Sequence, residues 1–190
     1  MRPINRILIL LFAVGFAVAA MFAEASRGTA PPEGPVQVII IRHGEEPDKG
    51  PHLNDQGQAR AKALVSYFQE PFSQPTSLWA AKSSEQSERS VETLTPLSTA
   101  LKIPIDVRFD DKHYKKLAEA ILQGPRHAGG NVLICWHHAT MKELAAALGV
   151  SNPPDWPSKQ YDHLWRIRYA KGKATLTDEA QGLKLPGFEQ

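Results

Sequence analysis

The sequence contains almost no cysteine: Cys135 is the only one among 190 residues. A single cysteine excludes an internal disulfide, and a lone thiol is compatible with any cellular compartment. A cysteine-dependent phosphatase is excluded as well. Such enzymes carry an arginine six residues after the nucleophile, and this chain has Met141 at that position.

Neither sign of charge dominates the composition. The 22 basic and 20 acidic residues give a formal net charge of +2, so there is no electrostatic case for a nucleic-acid partner. The phosphate-binding loop of the G-x4-G-K-[ST] form and the G-x-S-x-G elbow of serine hydrolases are both missing. The seven histidines show no His-x-x-Glu-His spacing, and Cys-x-x-Cys is absent. We therefore expect neither a metal nor an organic cofactor.

Long uncharged apolar stretches are absent except at the N-terminus. Arg2 and Arg6 stand at the start of an apolar run over residues 7–23, and the small residues of "AEA" follow at 23–25. A charged start, an apolar run and small residues together are typical of a signal peptide, although the run is near the lower limit for a membrane span. We predict that residues 1–25 are a signal peptide or an N-terminal membrane anchor. The protein is then exported, periplasmic or otherwise extracytoplasmic, and touches a membrane only if this segment stays attached.

The remainder of the chain divides into a linker and one domain. Residues 26–35, "SRGTAPPEGP", are rich in proline and glycine and predict a linker, which leaves 36–190 as a single domain. "VQVIII" (36–41), "SLWAA" (77–81) and "NVLICW" (131–136) have the length and apolar character of buried strands, and each precedes an amphipathic helical pattern. This alternation predicts an α/β fold, a three-layer αβα sandwich with a mostly parallel central sheet.

Local signals predict where several elements begin and end. Asn54 or Asp55 is suited to cap the first helix, and Thr140 with Glu143 forms a capping-box pattern before the last one. Pro96 is expected to kink or end the second helix. Near the C-terminus, "LWRIRYA" and "KATLTD" are separated by a Lys-Gly turn and predict a β-hairpin.

Titratable side chains follow the predicted strands. Arg42 and His43 come after the first strand, Arg89 lies in the polar segment after the second, and His137 and His138 follow the third. Sites in open α/β sheets lie at the carboxyl ends of the strands, so we expect these residues to converge. Arginine matches phosphate oxygens bidentately, and a neutral imidazole is a competent nucleophile. The set predicts phosphoryl transfer through a covalent phosphohistidine.

The motifs around these residues resemble those of the histidine phosphatase superfamily, which has the phosphoglycerate mutase-like fold. The matching segments are "RHGE" (42–45), "HLNDQGQARAKAL" (52–64), "SSEQSERSVETLTPL" (83–97) and "VLICWHHATMKELAAALG" (132–149). The resemblance covers about residues 36–178 and is closest to small bacterial members. It implies a phosphatase acting on phosphomonoesters or on phosphoprotein, with a small phosphorylated substrate or a phosphopeptide as its partner. The alternatives are a phosphotransferase or mutase of the same superfamily, and a non-catalytic phosphate-binding module.

The resemblance also implies roles for the site residues. His43 is the expected nucleophile, and Arg42 and Arg89 are expected to clamp the phosphoryl oxygens. A second histidine completes the pocket, and the Trp-x-His pattern favours His138 for it. Counting from the strand "VLIC", as other branches of the superfamily suggest, selects His137 instead.

The general acid that protonates the leaving group is not fixed by the motifs. The acid phosphatase branch has an aspartate directly after the second histidine, and this chain has Ala139 there. Asp110 and Asp111 lie in a region comparable to the one that supplies a glutamate in mutase-like branches. Glu46 and Asp48 lie near the first motif. All four carboxylates are left open as candidates.

Overall fold

The computed structural model describes residues 34–70 and 74–188. In chain order the elements are β1 (Gln37–Arg42), α1 (Asp55–Phe68), β2 (Ser77–Ala80), α2 (Arg89–Leu101), β3 (Ile105–Asp106), α3 (Tyr114–Gln123), β4 (Asn131–Trp136), α4 (Met141–Ala147), β5 (His163–Ala170) and β6 (Lys173–Ala180). Short 3₁₀ turns precede α3, β4 and α4 at Asp111–His113, Pro125–His127 and His138–Thr140. None of the helices in the described ranges is long and apolar enough to span a bilayer. The predicted signal or anchor and most of the predicted linker lie outside these ranges.

The strands form one six-stranded sheet in the order β3-β2-β4-β1-β5-β6. The first four strands in this order are parallel, β5 runs antiparallel to them, and β6 is antiparallel to β5, so it returns to the direction of the first four. The predicted C-terminal hairpin is confirmed. Its two-residue turn, Lys171-Gly172, has φ values of 51° and 73°. Positive φ at both turn residues matches the twist of a two-residue hairpin loop, which is why a Lys-Gly pair marks the turn.

Two helices cover each face of the sheet, which confirms the three-layer αβα sandwich. Because side chains alternate along a strand, Ile39 and Ile41 of β1 face one way and Val38 and Ile40 the other. The first pair packs with α1 and α2, through buried Leu64, Phe68, Leu94 and Leu97. The second packs with α3 and α4, through buried Leu117, Ile121, Met141 and Leu144. All these strand residues are fully buried, as their apolar run predicts.

The predicted helix starts and ends are confirmed in part. Asn54 caps α1, since its side-chain oxygen accepts a hydrogen bond from the Gly57 N–H at 2.9 Å. Helix α2 continues beyond Pro96 to Leu101, so the proline does not end it. The capping box before α4 was a wrong prediction. The Thr140 hydroxyl forms no cap hydrogen bond and instead accepts one from the indole N–H of Trp136 at 3.0 Å.

Candidate active site

The register between β1 and β4 determines which side chains meet at the carboxyl edge of the sheet. Arg42 pairs with Trp136, and the His43 N–H continues the ladder to the Trp136 carbonyl at 3.3 Å. Paired residues of neighbouring parallel strands project to the same face, and consecutive residues project to opposite faces. By this alternation His43 and His137 belong to the face covered by α1 and α2. Arg42 and His138 belong to the other face.

His43 is buried in its neutral form with one ring nitrogen already engaged. Only 2% of the residue is exposed, and Nδ1 lies 2.8 Å from the Gly44 carbonyl oxygen. A carbonyl only accepts, so Nδ1 carries the proton and Nε2 carries the lone pair. Burial lowers the pKa of His43 to about 3. The Gly44 contact opposes this shift, and the nearby Arg42, His137 and Arg89 add to it. The ring is therefore neutral and potentially nucleophilic at any pH well above 3.

The backbone after His43 is clamped between two helices. A Cβ added at Gly44 would come within 2.9 Å of the Gly57 Cα and carbonyl oxygen in α1, so only glycine fits this crossing. The Gly44 N–H donates to the Thr93 hydroxyl at 2.9 Å, and that hydroxyl donates to the Arg89 carbonyl at 2.7 Å. The backbone next to His43 and the start of α2 are thus linked by two hydrogen bonds.

The two predicted arginines converge on one carboxylate beside His43. The Arg42 Nη2 contacts Glu46 Oε1 at 3.0 Å, and the Arg89 Nη2 contacts Glu46 Oε2 at 2.9 Å. The Tyr161 hydroxyl donates to Oε1 at 3.3 Å. Two guanidinium groups therefore share a single oxyanion, which is the kind of group they would also present to a phosphoryl group.

Each arginine is held in place by a further contact. Arg42 is 1% exposed; its Nη1 donates to the Ser158 carbonyl, and its guanidinium lies 3.8 Å from the centre of the Tyr161 ring. Burial lowers the pKa of Arg42, and the Tyr161 and Glu46 charges oppose that shift. Arg89 donates through Nη1 to the Gly50 carbonyl at 2.9 Å. Within the described residues, the buried Nε of each arginine has no hydrogen-bond partner, so each retains a donor.

The second histidine beside His43 is His137. Its ring lies edge-on to the His43 ring, with 5.3 Å between the centroids, and no such ring contact joins His138 to His43 among the described residues. Burial lowers the pKa of both histidines. The next largest effect differs between them: the charge of Asp111 raises the pKa of His137, and the charge of Arg42 lowers the pKa of His138. The sequence prediction favoured His138, and the geometry favours the alternative, because the strand register brings His137 onto the face of His43.

Two of the four candidate acids reach the site. Glu46 contacts both arginines, and Asp111 influences His137 across a cleft that both residues line. Asp110 uses its side chain to cap the following 3₁₀ turn, and Asp48 is exposed in the loop after β1. A catalytic role for any of the four stays a prediction.

One group of metal-type side chains lies near the loop after β1. Among residues 34–70 and 74–188, His52, Glu88 and Glu92 alone bring three possible ligand atoms within 4.8 Å of one another. His52 Nδ1 is 2.6 Å from Glu92 Oε1, and the other Glu92 oxygen accepts from the Leu53 N–H at 2.8 Å. The group is largely exposed, and its members already contact one another. The expectation of a metal-independent site is not tested by this group and stays a prediction.

Sequence reasoning missed two partners of Arg42, Ser158 and Tyr161. They follow it by 116 and 119 residues and lie in the segment between α4 and β5, where the sequence has no helical or strand periodicity. No local pattern could have connected them to the first strand. Only the chain path around the edge of the sheet brings them together.

No family model matches the sequence, and no curated protein matches it either. Solved structures do match. The protein histidine phosphatase SixA complexed with tungstate has a TM-score of 0.53 at 18% identity, over 76% of this chain and 97% of that one. The mycobacterial glucosyl-3-phosphoglycerate phosphatase with inorganic phosphate gives 0.54 at 12% identity, over 76% and 95%. Phosphoglycerate mutase from Plasmodium falciparum gives 0.52 at 15% identity, over 81% and 95%. The resemblance indicated by the motifs is thereby confirmed at the level of the fold: the chain has the phosphoglycerate mutase-like fold of the histidine phosphatases.

Proposed function

We propose that the protein is a phosphatase that hydrolyses phosphomonoesters or phosphoproteins through a phosphohistidine on His43. The observation that carries the proposal is the carboxylate of Glu46, which Arg42 and Arg89 share beside a buried neutral imidazole. A tetrahedral phosphoryl group offers the same arginines more oxygens and more negative charge than a carboxylate. Substrate binding would therefore displace Glu46 from the two guanidinium groups.

The arginines and the nucleophile supply the first chemical step. The lone pair on His43 Nε2 attacks phosphorus as the bond to the leaving oxygen breaks, and the leaving oxygen takes up a proton from a general acid, for which Glu46 and Asp111 are the candidates that reach the site. Arg42 and Arg89 neutralise the charge on the phosphoryl oxygens, and fixed donors of this kind commonly contribute most to catalysis. The Nδ1–H of His43 stays on the Gly44 carbonyl and disperses the positive charge that the phosphorylated ring acquires.

Hydrolysis completes the cycle. Water forms a new P–O bond as the P–N bond to His43 breaks, which releases inorganic phosphate and regenerates the neutral ring. We assign His137 as the additional donor to the phosphoryl group, because its ring contacts the His43 ring. No step of this scheme requires a redox group.

The test is the variant His43→Ala in the purified protein, assayed with a generic phosphomonoester. We expect complete loss of phosphate release and of acid-labile, alkali-stable labelling, because the variant removes the proposed nucleophile while both arginines remain. Labelling of the wild type should persist at about pH 5, since the ring remains neutral above its lowered pKa. Circular dichroism checks that the variant keeps its fold.

The outcomes separate the candidate functions. Phosphate release at the wild-type rate by His43→Ala would exclude the phosphohistidine mechanism. A wild-type protein that becomes labelled and passes the label to an added alcohol faster than to water would be a phosphotransferase. Tight phosphate binding with neither labelling nor turnover would identify a binding module.

A further inference from the structure

Three side chains, and not only the two arginines, donate to the carboxylate of Glu46. Its Oε1 is contacted by Arg42 Nη2 at 3.0 Å and by the Tyr161 hydroxyl at 3.3 Å. Its Oε2 is contacted by Arg89 Nη2 at 2.9 Å. The proposed reaction cycle gives a role to both arginines and none to Tyr161. An anion that takes the place of this carboxylate nevertheless meets all three donors.

The hydrogen of the Tyr161 hydroxyl is directed at the carboxylate. Arg42 Nη2 donates to the hydroxyl oxygen at 2.9 Å. A guanidinium only donates, so this contact uses a lone pair of the hydroxyl and leaves its hydrogen for Glu46. Burial raises the pKa of Tyr161, the charge of Arg42 opposes this shift, and the charge of Glu46 adds to it. The phenol therefore keeps its proton at neutral pH and remains a donor.

The segment before β5 holds Tyr161 in place. The carbonyl of the preceding Gln160 accepts from the indole N–H of Trp156 at 2.8 Å, and Trp156 is itself only 6% exposed. The Tyr161 ring lies 3.8 Å from the Arg42 guanidinium, and its centroid is 6.2 Å from that of the His43 ring. The hydroxyl is thus fixed beside both the first arginine and the proposed nucleophile, as a preorganised donor has to be.

We propose that the Tyr161 hydroxyl is a further fixed donor to the phosphoryl group, which makes Tyr161 a catalytic residue in addition to those above. The inference rests on the proposed phosphatase function. A phosphoryl oxygen replaces Glu46 Oε1, and the hydroxyl then donates to this oxygen while Arg42 continues to donate to the hydroxyl. No proton changes its owner. A phosphoryl group carries more negative charge than a carboxylate, so the hydroxyl gains by the exchange.

The experiment measures the affinity for inorganic phosphate by calorimetry, with and without the competing carboxylate. In the Glu46→Ala background, Tyr161→Phe should weaken phosphate binding by about tenfold, the scale of a hydrogen bond to a charged group. The phenylalanine ring can still lie against Arg42, so the loss reports on the hydroxyl. With Glu46 present the same substitution should weaken binding less, because the hydroxyl then only exchanges one anionic oxygen for another.

Tyr169→Phe is the matched control in both backgrounds. The Tyr169 hydroxyl donates to the Leu148 carbonyl at 3.1 Å, and Tyr169 follows the residue of β5 that pairs with Gln37 at the start of β1. It therefore lies at the edge of the sheet opposite to the proposed site. Removing its hydroxyl should leave the phosphate affinity unchanged. Circular dichroism checks that each variant keeps its fold.

A second measurement separates donation to the anion from orientation of Arg42. Replacing Tyr161 with 3-fluorotyrosine makes the phenol a stronger hydrogen-bond donor and a weaker acceptor. In the Glu46→Ala background at about neutral pH, this change should tighten phosphate binding by about twofold, because the hydroxyl donates to the anion. Weaker binding would show that the hydroxyl acts as an acceptor that orients Arg42, and would overturn the inference.

Failure of the inference and failure of the proposed function give different results. Equal phosphate affinity in Glu46→Ala and in Glu46→Ala/Tyr161→Phe overturns the inference, even where the wild type hydrolyses phosphomonoesters. A wild type that binds phosphate but shows neither labelling nor turnover contradicts the phosphatase function. The comparison of affinities then still decides whether the Tyr161 hydroxyl contacts the anion.

Discussion

Arginines bind carboxylates in two different ways in this molecule. Arg60 donates through Nε and Nη2 to the carboxylate of Glu45, with contacts of 2.6–3.1 Å. Arg166 does the same to Glu179 at 3.0–3.1 Å. In both pairs Nη1 donates to a glutamine side chain, so every nitrogen of the guanidinium has a partner.

The two site arginines, by comparison, do not have a hydrogen-bond partner on every nitrogen. Arg42 and Arg89 share the single carboxylate of Glu46, each contributes one nitrogen to it, and each keeps a buried Nε without a partner among the described residues. We call a guanidinium saturated when all three of its nitrogens have partners. Such a group has less to offer a ligand than an unsaturated one, which gains by binding an anion with more oxygens. Under the proposed phosphatase function, the comparison separates arginines that support the fold from arginines that would bind the substrate.

The largest effect is expected from breaking a saturated pair. Arg60→Ala leaves the nearly buried carboxylate of Glu45 without its partner, so we expect the free energy of unfolding to fall by about 3–5 kcal/mol. Urea unfolding followed by circular dichroism measures this. The double variant Glu45→Leu/Arg60→Met is the control, and it should recover much of the loss because no buried charge remains. A single variant as stable as the wild type would contradict the structural role.

Removing one of the two unsaturated arginines should instead lower the rate of the proposed reaction. Arg89→Ala removes one of two clamps while the nucleophile remains, and we expect kcat/KM to fall about a hundredfold, on the order of 3 kcal/mol. Inhibition by inorganic phosphate or vanadate should weaken in parallel. The free energy of unfolding should change far less than in Arg60→Ala, and an equal loss of stability would remove the distinction between the two groups.

The two consecutive histidines, His137 and His138, allow a similar comparison between a residue that contacts the His43 ring and one that, among the described residues, does not. His137→Ala should lower kcat/KM by roughly thirtyfold, about 2 kcal/mol, because it removes a donor to a charged phosphoryl group. His138→Ala should have a clearly smaller effect, because no ring contact joins it to His43 within the described residues. The reverse order in the same steady-state assay would restore the Trp-x-His interpretation of the motif.

The smallest effect is expected at the shared carboxylate. Glu46→Gln removes the charge that competes for both arginines, so inorganic phosphate should inhibit more strongly, by up to about tenfold. Asp48→Asn is the matched control in the same loop, and its inhibition constant should stay at the wild-type value. If kcat instead falls by about 10²–10⁴-fold in Glu46→Gln, the carboxylate is the general acid rather than a competitor.

Much of the architecture could be predicted from local signals. The apolar runs became β1, β2 and β4, the amphipathic periods became helices, and the Lys-Gly pair became the turn of the hairpin. These features depend on neighbours within a few residues, where backbone geometry and side-chain alternation leave little choice. The capping-box prediction was wrong because the Thr140 hydroxyl accepts a hydrogen bond from the indole N–H of Trp136. That contact depends on how the Trp136 side chain packs, and a local capping pattern carries no information about it.

The sequence by itself determined that a histidine and an arginine end the first strand, and that a second arginine and a histidine pair follow later strands. Tertiary structure alone decided which of His137 and His138 meets His43, because the answer is a one-residue register between β1 and β4. It alone also joined Glu46 to both arginines and brought Tyr161 against Arg42 across 119 residues of chain. Residue types and their order are local properties of the sequence, but contacts between distant segments exist only once the sheet has fixed their relative positions.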